Sequence, residues 1–127
     1  MQKRILAIDD EPHMLILLER IIGEKTPHYL KTTSNALEVP EILNDEHFDL
    51  IITDLKMPKL DGLDVVKLIR ESHRTEAIVI ITAFGTDETA RHAKELGVDS
   101  FITKPFRKED ILDCIEAIFQ RQEDSIG

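Results

Sequence analysis

The 127-residue sequence has the composition of one folded domain, since 42% of its residues are hydrophobic and 32% are charged, which excludes a fibrous or disordered chain. Its net charge of −9 argues against direct binding to nucleic acid, because a phosphate backbone needs a basic surface. The single cysteine, Cys114, excludes an internal disulfide, and no apolar run is long enough for a membrane span or a signal segment. We therefore expect a cytoplasmic protein that does not contact the membrane.

The first half of the chain predicts two strands, each followed by a helix. Residues 5–8 are an apolar strand candidate, and Pro12 suits the first turn of a helix that Gly23 can end. Residues 29–33 form a more polar strand candidate. Asn35 can cap the next helix, but Pro40 would remove an internal hydrogen bond, so we expect that helix to be short or to begin late.

The second half repeats the same alternation three times. A buried strand over residues 50–53 ends at Asp54, and further apolar runs predict strands at 78–81 and 101–102. Amphipathic spacing predicts helices after Gly62 and over 86–96, and a last helix whose apolar stripe is Ile111, Ile115, Ile118 and Phe119. We expect one domain over residues 1–121, with 122–127 as a frayed tail or the start of a linker.

Five alternating strand and helix units predict an α/β fold. Strands of this kind form a parallel sheet with helices on both faces, which is a doubly wound (βα)5 architecture. The second and fifth strands are the most polar, so they are expected at the edges of the sheet.

The carboxyl ends of parallel strands share one edge of the sheet, which is where ligands bind in open α/β folds. Several polar side chains would meet there: Asp9, Asp10, Asp54, Thr82 and Lys104. Two carboxylates about 4 Å apart repel by roughly 4 kcal/mol at an effective dielectric constant near 20, so a proton or a cation must offset the charge. Oxygen ligands favour Mg²⁺, and a lysine with a hydroxyl suits a phosphoryl group carried by Asp54 as an acyl phosphate.

These residues and their neighbours resemble the receiver domain of two-component response regulators over about residues 3–120. The motifs that carry the resemblance are Asp9-Asp10, Asp54 with Met57-Pro58 and Asp61-Gly62, Thr82-Ala83, and Lys104-Pro105-Phe106. The resemblance implies a five-stranded, flavodoxin-like receiver fold with strand order 2-1-3-4-5.

The resemblance also implies roles for the residues of the site. Asp54 would accept a phosphoryl group from the phosphohistidine of a sensor histidine kinase. Asp10, Asp54 and the backbone carbonyl of Lys56 would bind Mg²⁺, or Mn²⁺ as a substitute, and Asp9 would act through water. The residues implied to contact the phosphoryl group are Lys104, Thr82 and Ala83.

Further implications concern the switch and the output. Thr82 and Phe101 would be the switch pair, in which the hydroxyl moves to the phosphoryl oxygen and the ring moves inward. Phosphorylation would then change the surface formed by the fourth helix, the fifth strand and the fifth helix. Structural roles fall to Pro58, Gly62 and Pro105, and the bond between Lys104 and Pro105 is typically cis in this family.

The partners implied are a kinase and a fused or separate effector, for example one that regulates transcription. The resemblance leaves open a phosphorylation-dependent homodimer. The resemblance also implies a domain that is primarily regulatory, with self-catalysed phosphotransfer and slow autodephosphorylation, rather than a conventional enzyme.

Three other functions were weighed against a phosphorylation switch. A flavin module needs a phosphate cradle after the first strand, where Asp9-Asp10-Glu11 would repel phosphate. A Mg²⁺-dependent aspartyl-phosphate phosphohydrolase usually has two aspartates two residues apart on that strand, whereas these are adjacent. A receiver-like scaffold that no longer takes phosphate is disfavoured by the complete set of acids with Thr82 and Lys104.

Overall fold

The computed structural model describes residues 2–55, 57, 62–72, 75–83 and 85–126. The predicted alternation of strands and helices is present. The strands are β1 (Arg4–Ile8), β2 (Tyr29–Thr33), β3 (Leu50–Thr53), β4 (Ala77–Thr82) and β5 (Ser100–Thr103). The helices are α1 (Pro12–Lys25), α2 (Val39–Asp45), α3 (Gly62–Glu71), α4 (Asp87–Glu95) and α5 (Lys108–Ile126), with a short 3-10 turn at Ala36–Glu38.

The five strands form one parallel sheet in the order β2-β1-β3-β4-β5. This confirms the predicted fold class and strand order. Every residue of β3 and β4 is buried, whereas β2 and β5 are partly exposed. The two more polar strands therefore lie at the edges, where only part of each strand must be apolar.

Helices cover both faces of the sheet, so the core has two layers. Successive side chains of a strand point to opposite faces. Ile5 accordingly packs in the layer under α1 and α5, whereas Leu6 packs in the layer under α2, α3 and α4. Since all central strands are covered on both faces, the polar groups are displaced to the ends of the strands.

The first two helices test the predicted start and stop signals. Pro12 occupies the first turn of α1, as predicted. The expectation that Gly23 ends this helix is wrong, because α1 continues to Lys25 and ends where Thr26 becomes extended. Glycine permits a helix to stop but does not force it, and here the following Pro27 cannot continue the helix. The late start of α2 is confirmed at Val39.

The last helix is longer than the sequence indicated. Residues 122–127 were expected to fray or to begin a linker, but α5 remains helical through Ile126. Gln122 lies on this extension and donates a side-chain hydrogen bond to the carbonyl of Asp49, at 3.0 Å. The extra turns are thus anchored to the end of the sheet opposite the candidate site, and a domain boundary at residue 121 stays a prediction. None of the helices in the described ranges has both the length and the apolar character that a membrane crossing requires.

Candidate functional site

Strand pairing brings Asp9 and Asp54 side by side. Ile8 is paired with Thr53 at the ends of β1 and β3, so the next residue of each strand emerges at the same edge of the sheet. The N–H of Asp54 donates to the carbonyl of Ile8 at 3.2 Å, which extends the pairing by one step. Both aspartates are only 3% exposed. Two carboxylates are therefore buried together at the carboxyl edge, as the sequence predicted.

Lys104 reaches both carboxylates from the loop after β5. Its Nζ lies 3.2 Å from Oδ2 of Asp54 and 3.4 Å from Oδ2 of Asp9. The lysine side chain itself is 14% exposed, so the three charged groups are largely shielded from water. One positive charge is thus shared between two negative ones.

Backbone donors hold the other oxygen of each carboxylate. Oδ1 of Asp9 accepts a hydrogen bond from the N–H of Glu11 at 2.9 Å, and Oδ1 of Asp54 accepts one from the N–H of Leu55. Each carboxylate is consequently oriented, with one oxygen on the backbone and one turned toward Lys104. A carboxylate fixed in this way needs little reorganisation before it binds a ligand at its other oxygen.

Burial changes the protonation of the site. It raises the pKa of Asp9 from 3.8 to about 6, and the nearby charge of Asp54 adds to this, although Glu11 N–H and Lys104 act in the opposite direction. Burial alone would lower the pKa of Lys104, but the carboxylates of Asp9 and Asp54 outweigh it, so its pKa lies above 10.5. The lysine therefore stays charged at neutral pH, and the acid beside it retains a proton more readily than an exposed aspartate.

A third acid approaches the two buried ones. Asp9, Glu11 and Asp54 each offer a carboxylate oxygen, and these atoms lie within 4.8 Å of one another. Such a group could hold a metal ion, and its all-oxygen donor set fits a hard cation. Glu11 is exposed and was not predicted as a ligand. The sequence feature that could have indicated Glu11 as a ligand is its position as the third consecutive acid after β1.

The structure places the remaining predicted ligands as follows. Asp10 is half-buried and is not part of the group formed by Asp9, Glu11 and Asp54, so its role as a ligand stays a prediction. The predicted contributions of Lys56 and Pro58 fall on positions outside the described residues.

The other predicted site residues are distributed around the same edge. Thr82 is fully buried at the end of β4, and its carbonyl accepts a hydrogen bond from the N–H of Lys104 at 2.8 Å. Ala83, next to it, is exposed. Phe101 is partly buried on β5 and packs in the layer of α2, α3 and α4. The peptide bond between Lys104 and Pro105 is cis, as the resemblance implied.

Gly62 packs directly against the backbone of Asp54. Its N–H donates to the carbonyl of Leu55 at 2.7 Å, and a Cβ on Gly62 would overlap the backbone carbonyl of Asp54. Only a residue without a side chain allows this approach. The predicted structural role of Gly62 therefore has a steric basis in the position of the central aspartate.

Fold and site together define a class of protein. A doubly wound parallel sheet carries the buried Asp9 and Asp54 with Lys104 at its carboxyl edge, which is the arrangement expected of a receiver module. The family model described as "Response regulator receiver domain" matches residues 5–116. The chain belongs to this family.

Individual relatives of the chain agree with this family assignment. The chain is 31% identical over 118 residues to the chemotaxis protein CheY of Halobacterium salinarum, covering 93% of this chain and 98% of that protein. It is 33% identical over 123 residues to the alkaline phosphatase synthesis transcriptional regulatory protein PhoP of Bacillus subtilis, covering 97% of this chain. The chain spans 51% of the length of that PhoP and 23% of the response regulator protein PilR of Pseudomonas aeruginosa.

Solved structures support the same fold. A CheY-like response regulator receiver domain from Methanospirillum hungatei has a TM-score of 0.91 at 23% identity, covering 98% of this chain and 99% of that one. A response regulator receiver domain from Clostridium thermocellum has a TM-score of 0.87 at 28% identity, covering 95% and 97%.

Proposed function

We propose that this domain is a phosphorylation-dependent signalling switch in which Asp54 accepts a phosphoryl group from a histidine kinase. The observation that carries the proposal is the position of Lys104, whose Nζ lies 3.2 Å from one oxygen of the buried Asp54 carboxylate. Membership of the receiver family supports the same chemistry. A lysine at this distance can reach a phosphoryl oxygen built on that carboxylate.

The chemical step transfers phosphorus from nitrogen to oxygen. A carboxylate oxygen of Asp54 forms a bond to phosphorus while the bond from phosphorus to the donor's imidazole nitrogen breaks, and that nitrogen keeps the electron pair. Lys104 stabilises the charge on the phosphoryl oxygens, since such groups react mainly through positioning and electrostatic stabilisation. Water later attacks the phosphorus of the acyl phosphate, the bond from phosphorus to the Asp54 oxygen breaks, and inorganic phosphate leaves while the carboxylate is regenerated.

The donor set fits a divalent cation of the magnesium type. We propose Mg²⁺, with Mn²⁺ as a substitute, held at the acidic group of Asp9, Glu11 and Asp54. Asp10 and the carbonyl of Lys56 are proposed to contribute as well. When bound, the cation would offset negative charge on the carboxylates and on the phosphoryl oxygens.

Phosphorylation is proposed to act through Thr82 and Phe101. The Thr82 hydroxyl would turn to a phosphoryl oxygen, and the ring of Phe101 would move inward into the space that it leaves. Ala93 is the buried residue of α4 and the other residues of this helix are more exposed, so few apolar contacts oppose a shift of α4. A local change of charge could therefore alter the surface made by α4, β5 and α5.

The output depends on what the domain is joined to or binds. Since the chain spans about half of PhoP, whose name describes a transcriptional regulatory protein, we propose control of a fused or separate effector, with transcription as one candidate output. We propose that this domain works in the cytoplasm and that its phosphodonor is a sensor histidine kinase. A phosphorylation-dependent homodimer remains a proposal for the same surface.

Acetyl phosphate with Mg²⁺ provides the direct test. Intact mass should show one added phosphoryl group on the parent protein and none on Asp54→Asn. The matched control is Asp113→Asn, because Asp113 is exposed on α5, and this variant should be labelled like the parent. Undiminished labelling of Asp54→Asn would end the assignment, and steady multiple turnover of a generic phosphomonoester would favour a phosphohydrolase instead.

A further inference from the structure

The ring of Phe101 rests against a residue that has no side chain. A Cβ placed on Gly85 would lie 2.6 Å from Cε1 and 3.1 Å from Cζ of that ring. The first of these distances is shorter than real contacts of a Cβ atom. The edge of the ring thus occupies the volume that any side chain at position 85 would need.

The backbone does not require glycine at this position. Gly85 is outside the left-handed region, unlike Gly97 with its φ of +84°, so alanine could adopt the same backbone conformation. The same Cβ would lie 3.6 Å from Cγ2 of Thr103, which is an ordinary contact. The ring of Phe101 is therefore the group with which a methyl at position 85 would collide.

The contact lies on the segment that joins the site to α4. Gly85 follows Thr82 by three residues and directly precedes Thr86, which caps α4. The Thr86 hydroxyl accepts a hydrogen bond from the N–H of Thr89 at 3.1 Å, and the N–H of Thr86 donates to the Thr89 hydroxyl at 2.8 Å. A movement of the Phe101 ring against Gly85 would thus act on the loop between β4 and α4. This loop follows Thr82, whose hydroxyl belongs to the candidate site, and leads to Thr86, which caps α4.

We propose that Gly85 is a positioning residue: its missing side chain leaves room for the Phe101 ring in the location seen here, and the contact couples the ring to the β4–α4 loop. The inference rests on the proposed function, in which the ring moves inward on phosphorylation. A methyl at position 85 disfavours the location seen here, and the alternative location in the proposed function is the inward one. Gly85→Ala therefore shifts the two-state equilibrium of the ring toward the phosphorylated arrangement without any phosphoryl group. A steric overlap of this size changes the ratio between the two locations of the Phe101 ring by about fivefold or more.

The test reads the ring directly in metal-free, unphosphorylated protein. Phenylalanine is labelled with ¹³C, and the signals of Phe101 are assigned by their loss in Phe101→Leu. The parent protein with Mg²⁺ and beryllium fluoride gives the reference for the phosphorylated arrangement. Gly85→Ala should move the Phe101 signals toward this reference and raise the rate of labelling by acetyl phosphate. Unchanged signals, or a shift away from the reference, would overturn the proposal.

Two comparisons separate the ring contact from a general effect of the added methyl. Gly23→Ala also adds a methyl, at a place where no atom beyond its chain neighbours and the backbone of its own helix lies within 4 Å, and it should leave the Phe101 signals unchanged. Gly85→Ala combined with Phe101→Leu should behave like Phe101→Leu alone, in loop amide signals and in labelling rate. If Gly85→Ala fails to fold, folding of the double variant supports the steric account, and its failure contradicts that account.

The two proposals can fail separately. Absence of a phosphoryl group on the parent protein would end the proposed function, but displacement of the Phe101 signals in Gly85→Ala could still be measured against the unphosphorylated parent, and its dependence on the ring against the double variant. Normal phosphorylation together with an immobile ring in Gly85→Ala would end only the role of Gly85.

Discussion

The buried carboxyl group of Asp9 makes the stability of the metal-free protein depend on pH. Its pKa is about 6 in the folded protein and near 3.8 when exposed, so the folded state retains the proton over a range in which the unfolded chain has lost it. The stabilisation by the protonated form is complete below about pH 4 and is lost as the pH rises to about 6. The two pKa values correspond to roughly 3 kcal/mol in the free energy of unfolding, as an order of magnitude.

Replacing Asp9 with asparagine removes this dependence. Asp9→Asn should match the parent near pH 4 and exceed its free energy of unfolding by about 1–3 kcal/mol at pH 8. The attraction of Lys104 for Asp9 is already contained in the pKa of about 6, because it acts there against burial. Urea unfolding followed by circular dichroism, in the presence of a chelator at several pH values, measures the difference between the two proteins.

The difference between the two proteins reports on Asp9 and the charged groups beside it, because acids remote from the site are the same in both. Asp113→Asn, at an exposed position of α5, is the matched control and should differ from the parent by a small amount at every pH. A constant offset between Asp9→Asn and the parent from pH 4 to pH 8 would refute the reasoning. Adding Mg²⁺ at pH 8 should stabilise the parent more than Asp9→Asn, if Asp9 belongs to the cation site.

Three further substitutions test the backbone around the site and elsewhere in the fold. Gly62→Ala should lower the free energy of unfolding by about 1–3 kcal/mol, because its Cβ would overlap the carbonyl of Asp54, and it should also slow labelling by acetyl phosphate. Gly23→Ala, exposed within α1 with open space around it, should raise the unfolding free energy by roughly 0.5–1 kcal/mol in the same urea assay. Arg70→Ala removes a guanidinium that donates to the carbonyls of Glu76, Leu96 and Gly97, so it should cost about 1–3 kcal/mol and increase amide exchange at the C-terminal end of α4. An Arg70→Ala protein with parental exchange there would contradict this role.

The fold was predictable because its signals are local. Apolar runs mark the strands, and the less apolar composition of residues 29–33 and 100–103 was enough to place β2 and β5 at the edges. Asp9, Asp54 and Lys104 could be brought together by topology alone, since parallel strands end at one edge. The structure confirms that these three side chains meet.

Features that depend on three-dimensional contacts were not predictable. Glu11 resembles any exposed acid near a helix start, and only the coordinates show its oxygen near Asp9 and Asp54. The end of α1 depends on Thr26 and Pro27 more than on Gly23, because a glycine inside a helix costs free energy without stopping it. The extension of α5 uses glutamine, arginine and glutamate residues, which are good helix formers whose polarity was read as fraying.

Lys104 connects the charge of the site to β5. It is separated from Asp9 by 95 positions and from Asp54 by 50, so its ion pairs exist only when β1, β3 and β5 are assembled in one sheet. Because the two distances are nearly equal, the lysine is not committed to either carboxylate. In the proposed function, phosphoryl oxygens on Asp54 would offer Lys104 new acceptors and weaken its pairing with Asp9. Phe101 lies on β5, three residues before Lys104, so movement of Lys104 would act on the end of the strand that carries the ring. Phosphorylation of Asp54 would then have two routes to the surface of α4, β5 and α5, one through Thr82 and one through Lys104 and β5.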